Sequence, residues 1–251
     1  MPPDIIFIIP YRDRETHRTF FRKHMKTIVE DLAEESYKIY FVHQRDDQPF
    51  NRGAIKNIGF IAMKKEYPDD YKNITFVFND IDVMPFEKNT LSYKTSEGNV
   101  KHFYGFNFAL GGIVSITGGD FEKINGYPNF WAWGWEDNEL QRRVVNNGLK
   151  IDRSTFFPIL SKDFIHYHHG AFREVNPDEK RRYSLHTTEG IKDVVLKNFV
   201  IEEDMIQVNS FSTNTPPTPE KNELMNIGET PNKNNVNNKR TPLVKMVLTR
   251  S

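Results

Sequence analysis

The chain has 251 residues, enough for one sizeable domain or two small ones with a substantial buried core. Its 34 basic and 34 acidic side chains balance, so no global field steers it to nucleic acid or to an anionic membrane. The lack of cysteine excludes disulfides, thiolate metal sites and cysteine nucleophiles, and leaves histidine and carboxylate as metal ligands.

Ile5-Ile6-Phe7-Ile8-Ile9 is β-rich, is closed by Pro10, and is too short for a membrane span, so it reads as a buried strand. A strand starting that early leaves no room for an N-terminal anchor, and the chain as given is expected to be soluble and cytoplasmic. After the charged Tyr11-Arg12-Asp13-Arg14, helical spacing of Phe20, Phe21, His24, Met25 and Ile28 predicts a helix. A second strand over 37–43, a helix over 51–65 and a third strand over 74–78 follow. In that helix Ile55, Ile58, Gly59 and Ala62 share one side, with Lys56 and Asn57 looking out from its flank. The alternation of strand and helix is that of a parallel α/β sheet.

Beyond Asp82 the pattern loosens. Pro85 breaks it, residues 87–101 are polar and turn-like, 103–110 reads as a strand, Gly111-Gly112 as a tight turn with close backbone approach, and 113–116 as another strand. A short helix over 117–125 precedes Gly126-Tyr127-Pro128. Residues 130–139 then gather all three tryptophans and an acidic cluster ahead of a helix with Leu140, Val144 and Leu149 on its apolar face. From about Asn209 the composition turns to Asn, Thr, Pro, Lys and Glu, which predicts a domain over 1–206 and a disordered tail over 207–251.

Several clusters carry chemistry. Indole faces suit the apolar faces of a sugar, and the carboxylates of Glu136 and Asp137 beside them can take a proton from a hydroxyl; filled core and a favourable first helical turn are the plain alternatives. Asp80 and Asp82 follow the third strand at i and i+2, so both can point to one place at the C-terminal edge of the sheet and suit a hard divalent ion on a diphosphate, although aspartates also end strands routinely. Arg12 and Arg14 repeat that spacing after the first strand and offer forked donors to phosphate, or form a solvated loop. His166, His168 and His169 suit a divalent site completed by a distant carboxylate, which a metallohydrolase would also use. Phe50 beside Arg52 can flank a base and a phosphate, or simply make the entry contact of a helix.

In register, these residues resemble the β-1,4-galactosyltransferase family (glycosyltransferase family 7). The resemblance rests on Pro10-Tyr11-Arg12-Asp13-Arg14, Phe50-Asn51-Arg52 with Asn57-Ile58-Gly59, Asp80-Ile81-Asp82, Gly111-Gly112, Asn125-Gly126-Tyr127-Pro128, the stretch from Phe130 through Trp133 to Asp137, and the histidine group. It runs from about Ile5 to Leu196, and its His-x-His and Arg-Asp-Arg elements are most similar to the branch that galactosylates xylose in proteoglycan linkers. It implies a GT-A (nucleotide-diphospho-sugar transferase) fold, an α/β fold with a mixed central sheet flanked by helices. It further implies an inverting, manganese-dependent transfer of galactose or N-acetylgalactosamine from a UDP-sugar to a glycan or glycoconjugate hydroxyl. Pro10, Arg12, Arg14, Phe50 and Arg52 would hold the uridine diphosphate and Asp80 would contact the nucleotide. Asp82, His166 and His168 would bind manganese, and Gly112 would let the donor approach the backbone. Trp133 would lie beside donor and acceptor, Glu136 and Asp137 would face the sugars, and Asp137, ionised at neutral pH, would be the base, with Asn138 among the acceptor contacts.

Three departures stand out. Asn138 replaces an aspartate associated with acceptor contacts, Trp135 replaces a smaller or polar residue, and Ala109 stands where galactose-specific members carry tyrosine, which brings in UDP-N-acetylgalactosamine as a donor. The alternative functions are an inactive carbohydrate- or UDP-binding module, for which Asn138 is the hint, and a metal-dependent hydrolase, which leaves the tryptophans and the arginine pair unexplained.

Overall fold

The computed structural model describes residues 1–167 and 172–226. A mixed nine-stranded sheet forms its centre. Strand β1 (Ile5–Tyr11) lies parallel to and between β2 (Tyr37–Gln44) and β3 (Thr75–Asn79), with α1 (Glu15–Ile28) and α2 (Arg52–Glu66) as the crossovers. Every residue of β1 is buried, which accounts for its uninterrupted apolar run. Ile5, Phe7 and Ile9 share one core with Phe21, Met25 and Ile28 of α1, whereas Ile6 and Ile8 share another with Ile55, Ile58 and Ala62 of α2. The period of two in the strand thus feeds two helices on opposite faces. Helix α2 sits close: a Cβ on Gly59 would meet Ile8 Cγ2 at 2.7 Å and Val42 Cγ2 at 2.8 Å.

A short strand outside the main sheet, β4 (Val83–Pro85), comes next, followed by β5 (Asn99–Gly105) and β6 (Ile113–Thr117). β6 pairs antiparallel with both β3 and β5, which makes the sheet mixed. The expected strand over 103–110 is displaced: it starts at Asn99 and stops at Gly105. Val100, His102, Phe103 and Tyr104 are all buried, Val100 in the core under α2 and Phe103 and Tyr104 in the core under α1, and an irregularity in register between His102 and Tyr104 breaks the alternation.

Helices α3 (Gly118–Lys123) and α4 (Glu136–Asn146) lead to the short strands β7 (Lys150–Asp152), β8 (Phe157–Pro158) and β9 (Phe164–His166). β9 pairs antiparallel with β4 and sets His166 opposite Val83. The described residues close with β10 (Phe172–Val175), α5 (Pro177–Ser184), β11 (Val195–Glu202), β12 (Met205–Ser212) and β13 (Glu223–Asn226).

The expected domain boundary after residue 206 falls inside β12, which pairs parallel with β2 and buries Met205, Ile206, Val208 and Phe211. Further on, Trp131 Nε1 donates to the Thr215 carbonyl at 2.8 Å, and β13 pairs with β10. The polar composition past Asn209 hid an edge region that needs only one apolar face. Residues 227–251 lie outside the described residues, and the expectation of a disordered tail lies there with them. Among the described residues no helix is long and apolar enough to cross a membrane.

Candidate active site

The parallel strands β1, β2 and β3 end along one edge, and β1 has a neighbour on each side, so the crevice beyond their carboxyl ends is a topological switch point. The segments leaving these strands carry Arg12 and Arg14, Phe50 and Arg52, and Asp80 and Asp82. Arg14 Nη1 lies 3.5 Å from Asp82 Oδ2 and joins the first segment to the third. Arg52 and Arg12 stand 5.3 and 5.8 Å from the Phe50 ring centroid. Arg12, however, gives its guanidinium to the loop after β2, donating to the carbonyls of Gln44, Asp46 and Gln48 at 3.1, 2.8 and 2.6 Å. It shapes the loop that presents Phe50. Pro10 is buried inside β1, one residue short of its end.

Lys56 occupies the middle of the crevice. Its side chain is 1% exposed, and its Nζ lies 3.4 Å from Asp80 Oδ1 and 3.6 Å from Asp137 Oδ1, over the Tyr127 ring at 4.6 Å. The expectation that Lys56 and Asn57 look outward is therefore wrong for both. Asn57 is fully buried and donates to the Tyr127 carbonyl and to Asn129 Oδ1 at 2.8 and 3.0 Å. Burial alone would lower the Lys56 ammonium, but Asp80, Tyr127, Asp137 and Glu136 raise it well above the usual lysine value. Burial raises the Asp80 carboxyl, yet Lys56, Arg52 and Arg14 outweigh it and hold that group below the usual range. Asp137 goes the other way. Burial, with Glu136 and Asp80 adding, pushes its carboxyl up to about 7 against Lys56 and Arg52. Among the described residues the buried Oδ1 atoms of Asp80 and Asp137 find no hydrogen-bond donor, so their compensation is the ammonium between them.

The first turn of α4 carries Glu136, Asp137 and Glu139 where the helix dipole favours acids. Trp135, entering the helix, takes a left-handed φ of 74°. Glu136 is buried and pairs with Arg52 at 3.5 Å rather than facing open space. The helix is anchored from behind by Arg143, whose guanidinium donates to Glu139 Oε1 and to the carbonyls of Gly126 and Glu189 at 3.1, 2.9 and 2.6 Å. In front, Leu110 N donates to the Asp137 carbonyl at 3.0 Å and Asn138 Nδ2 to the Phe108 carbonyl at 3.4 Å. These bonds bring Gly111 and Gly112 against the acidic turn. A Cβ on Gly111 would stand 2.3 Å from Asp137 Oδ2, and Gly112 has φ 69° with a Cβ position 2.5 Å from the Tyr104 carbonyl. Asp80 N donates to the Gly112 carbonyl at 2.9 Å, which ties the third-strand acids to the same turn.

The histidine segment reaches the crevice through backbone pairing, with Tyr167 N donating to the Asp82 carbonyl at 2.8 Å. Tyr167 packs on His17 and Phe20 of α1 at 4.5 and 5.3 Å. The His166 ring meets Tyr104 Oη at 3.0 Å and the Ser161 carbonyl at 3.2 Å, while His168 lies outside the described residues. Among the described residues no group of three acidic or histidine side chains is gathered as a metal site. Even so, the carboxylate of Asp82 and the imidazole of His166 leave adjacent, hydrogen-bonded strands, and that donor chemistry suits manganese.

The family model for the N-terminal region of glycosyl transferase group 7 matches residues 3–95, and the one for the N-terminal domain of galactosyltransferase continues over 94–170. The chain belongs to glycosyltransferase group 7. Its similar relatives include β-1,4-galactosyltransferase 4 of Cricetulus griseus, 28% identical over 82% of this chain and 62% of that protein. Another is β-1,4-galactosyltransferase 2 of Homo sapiens, 31% identical over 61% of this chain and 44% of that protein. The chain thus spans 44 to 62% of the length of these relatives. Its fold is that of the catalytic domain of Drosophila β-1,4-galactosyltransferase 7, solved with xylobiose, with a TM-score of 0.67 at 23% identity over 85% of this chain and 95% of that one. A variant of the same fly enzyme, solved with manganese, UDP-Gal and xylobiose, gives a TM-score of 0.63 at 22% identity, with the same shares covered.

Within this group 7 chain the structure gathers Arg14, Arg52, Asp80, Asp82, Gly112, Glu136 and Asp137 in one crevice. The tryptophan stretch divides. Trp131 is core, stacked on Phe211 at 5.7 Å, and Trp135 stacks on Tyr183 at 5.4 Å. Trp133 stays half-buried, its backbone N–H held by the Glu174 carbonyl at 2.8 Å. Two contributors were not singled out from sequence. One is Lys56, whose position four residues after Arg52 and three before Gly59 was the available signal. The other is His102, which burial, with Arg153 adding, pulls down to about 4. Arg153 Nε donates to its Nδ1 at 3.0 Å, so Nε2 carries the proton and donates to the carbonyls of Tyr104 and Gly111 at 3.0 and 3.1 Å. Nothing local marks such a histidine, because its partners come from distant segments.

Proposed function

We propose that this crevice transfers a hexose, galactose or N-acetylgalactosamine, from a UDP-sugar to a hydroxyl of a sugar acceptor with inversion at the anomeric carbon. The observation that carries the reading is the convergence of Asp80, beside the third-strand acid Asp82, and Asp137, from the α4 turn, on the single buried ammonium of Lys56. Two separate acidic motifs are what one displacement needs. One side must face the diphosphate, and the other must face the attacking hydroxyl.

In this reading Phe50 and Arg52 flank the base and phosphates, Arg14 offers its guanidinium to the diphosphate, and Gly112, whose Cβ position is filled by the Tyr104 carbonyl, makes the turn that carries the backbone past the donor. Asp82, His166 and His168 would hold manganese, which would neutralise charge on the departing UDP. Asp137 takes the proton of the acceptor hydroxyl as that oxygen bonds to the anomeric carbon. The bond from that carbon to the phosphate oxygen breaks on the opposite face and UDP leaves with the electron pair. Trp133 and Asn138 border the acceptor side. Glu136 neutralises Arg52 there and keeps it in place.

The stereochemistry tests the scheme. A UDP-α-hexose should give a β-linked product, read from the anomeric coupling in the proton NMR spectrum. An α-linked product would contradict a single displacement with Asp137 as base.

A further inference from the structure

An ammonium with a side chain 1% exposed is costly unless it is paired, and apolar packing alone would favour a hydrocarbon at this point of α2, between Ile55 and Ile58. Lys56 instead carries its charge to two carboxylates of different origin, Asp80 at the end of β3 and Asp137 in the first turn of α4. The face of the Tyr127 ring, 4.6 Å from Nζ, steadies it from a third direction. Among the described residues the Oδ1 atoms of the two aspartates are buried and take no hydrogen bond, so this ammonium is their compensation. Asp137 Oδ2 is on the side of Gly111, where the missing Cβ leaves it space.

We propose that Lys56 is the positioning residue of the transfer. Its shared ammonium fixes the donor-side carboxylate of Asp80 relative to the acceptor-side carboxylate of Asp137 and favours the ionised form of Asp137, with Oδ2 left to accept the proton. This rests on Asp137 being the base. The charged and titratable groups around Asp137 are Lys56 and Arg52 from α2, Asp80 from the end of β3, Glu136 beside it on α4, and the buried Tyr127 hydroxyl. Without Lys56, two acidic neighbours oppose ionisation, and Arg52 and the N-terminus of α4 are left to favour it.

The test is the titration of the Asp137 carboxyl by carbon-13 NMR in the full chain labelled at aspartate, with Asp137→Asn supplying the assignment. In Lys56→Met the midpoint should rise by about one pH unit or more, and in Lys56→Arg it should stay within about half a unit of the parent. Lys56→Gln makes the same comparison should the methionine variant not fold. An unchanged midpoint in a folded Lys56→Met or Lys56→Gln chain would overturn the inference, whatever the activity. The base assignment stands apart from this outcome: a fully active Asp137→Asn chain would remove it even if the midpoint moved as expected.

Discussion

Asp137→Asn should lower transfer by ~100-fold or more, the scale of a lost general base, while leaving manganese-dependent UDP binding in place. The substitution keeps the size and shape of the side chain and removes its ability to take a proton, together with the charge it turns toward Lys56. The residues that would hold the nucleotide, Arg14, Phe50 and Arg52, and the manganese ligand Asp82 are untouched. UDP release under turnover and UDP binding by calorimetry separate the two effects; normal turnover would remove Asp137 from its role.

The same residue sets the pH dependence. Burial, with Glu136 and Asp80, raises the Asp137 carboxyl to about 7, and only the ionised form can act as base. Transfer should therefore fall as pH drops through the neutral range rather than near pH 4, and this replaces the expectation of a base fully ionised at neutral pH. The stability sign is opposite to that of an ordinary salt-bridged aspartate. A carboxyl raised in the folded state binds its proton more tightly there than in the unfolded chain. Its contribution is thus lost progressively as pH rises from the ordinary aspartate value to about 7, and the cost is full above that. The asparagine variant escapes this cost, so its Tm at pH 8 should be no lower than that of the parent, as expected where a site is tuned for function.

Gly111→Ala should cost as much activity by displacement. The new Cβ would meet Asp137 Oδ2 at 2.3 Å and Cγ at 2.9 Å. What it meets is the end of a short side chain, which can rotate away at modest cost to folding. The carboxylate then leaves its place, and a misplacement on the order of 1 Å can cost ~100-fold in rate. Gly112→Ala makes the contrast, because its left-handed φ of 69° and a backbone carbonyl 2.5 Å away put the cost into stability. Thermal denaturation beside turnover distinguishes them. Gly111→Ala should keep its Tm and lose rate, and retention of full rate would show that Gly111 does not shape the base.

Much of this arrangement is legible in the sequence where local pattern and tertiary role coincide. The apolar run of β1 announces a strand buried on both faces, and strand-then-charge punctuation places Arg12, Arg14, Asp80 and Asp82 on one edge of the sheet. What stays hidden is set by long-range pairing. A lysine in a helix reads as solvent-facing, so Lys56 is recognised only when Asp80 and Asp137 are seen to converge on it. Arg12 has the right residue type for phosphate, yet the Gln44–Gln48 loop engages its guanidinium. Three tryptophans in a row look alike, but Trp131 is drawn into the core by Phe211 of β12. That strand lies in a stretch whose composition suggests an unstructured tail.

The most direct test of the central claim is UDP release in the presence of manganese from UDP-galactose, UDP-N-acetylgalactosamine, UDP-glucose and UDP-N-acetylglucosamine, each with and without xyloside and N-acetylglucosaminide acceptors. The account predicts release from UDP-galactose or UDP-N-acetylgalactosamine that an acceptor accelerates and a chelator abolishes. Release that ignores both acceptor and chelator, or none from any donor with any acceptor, would contradict it.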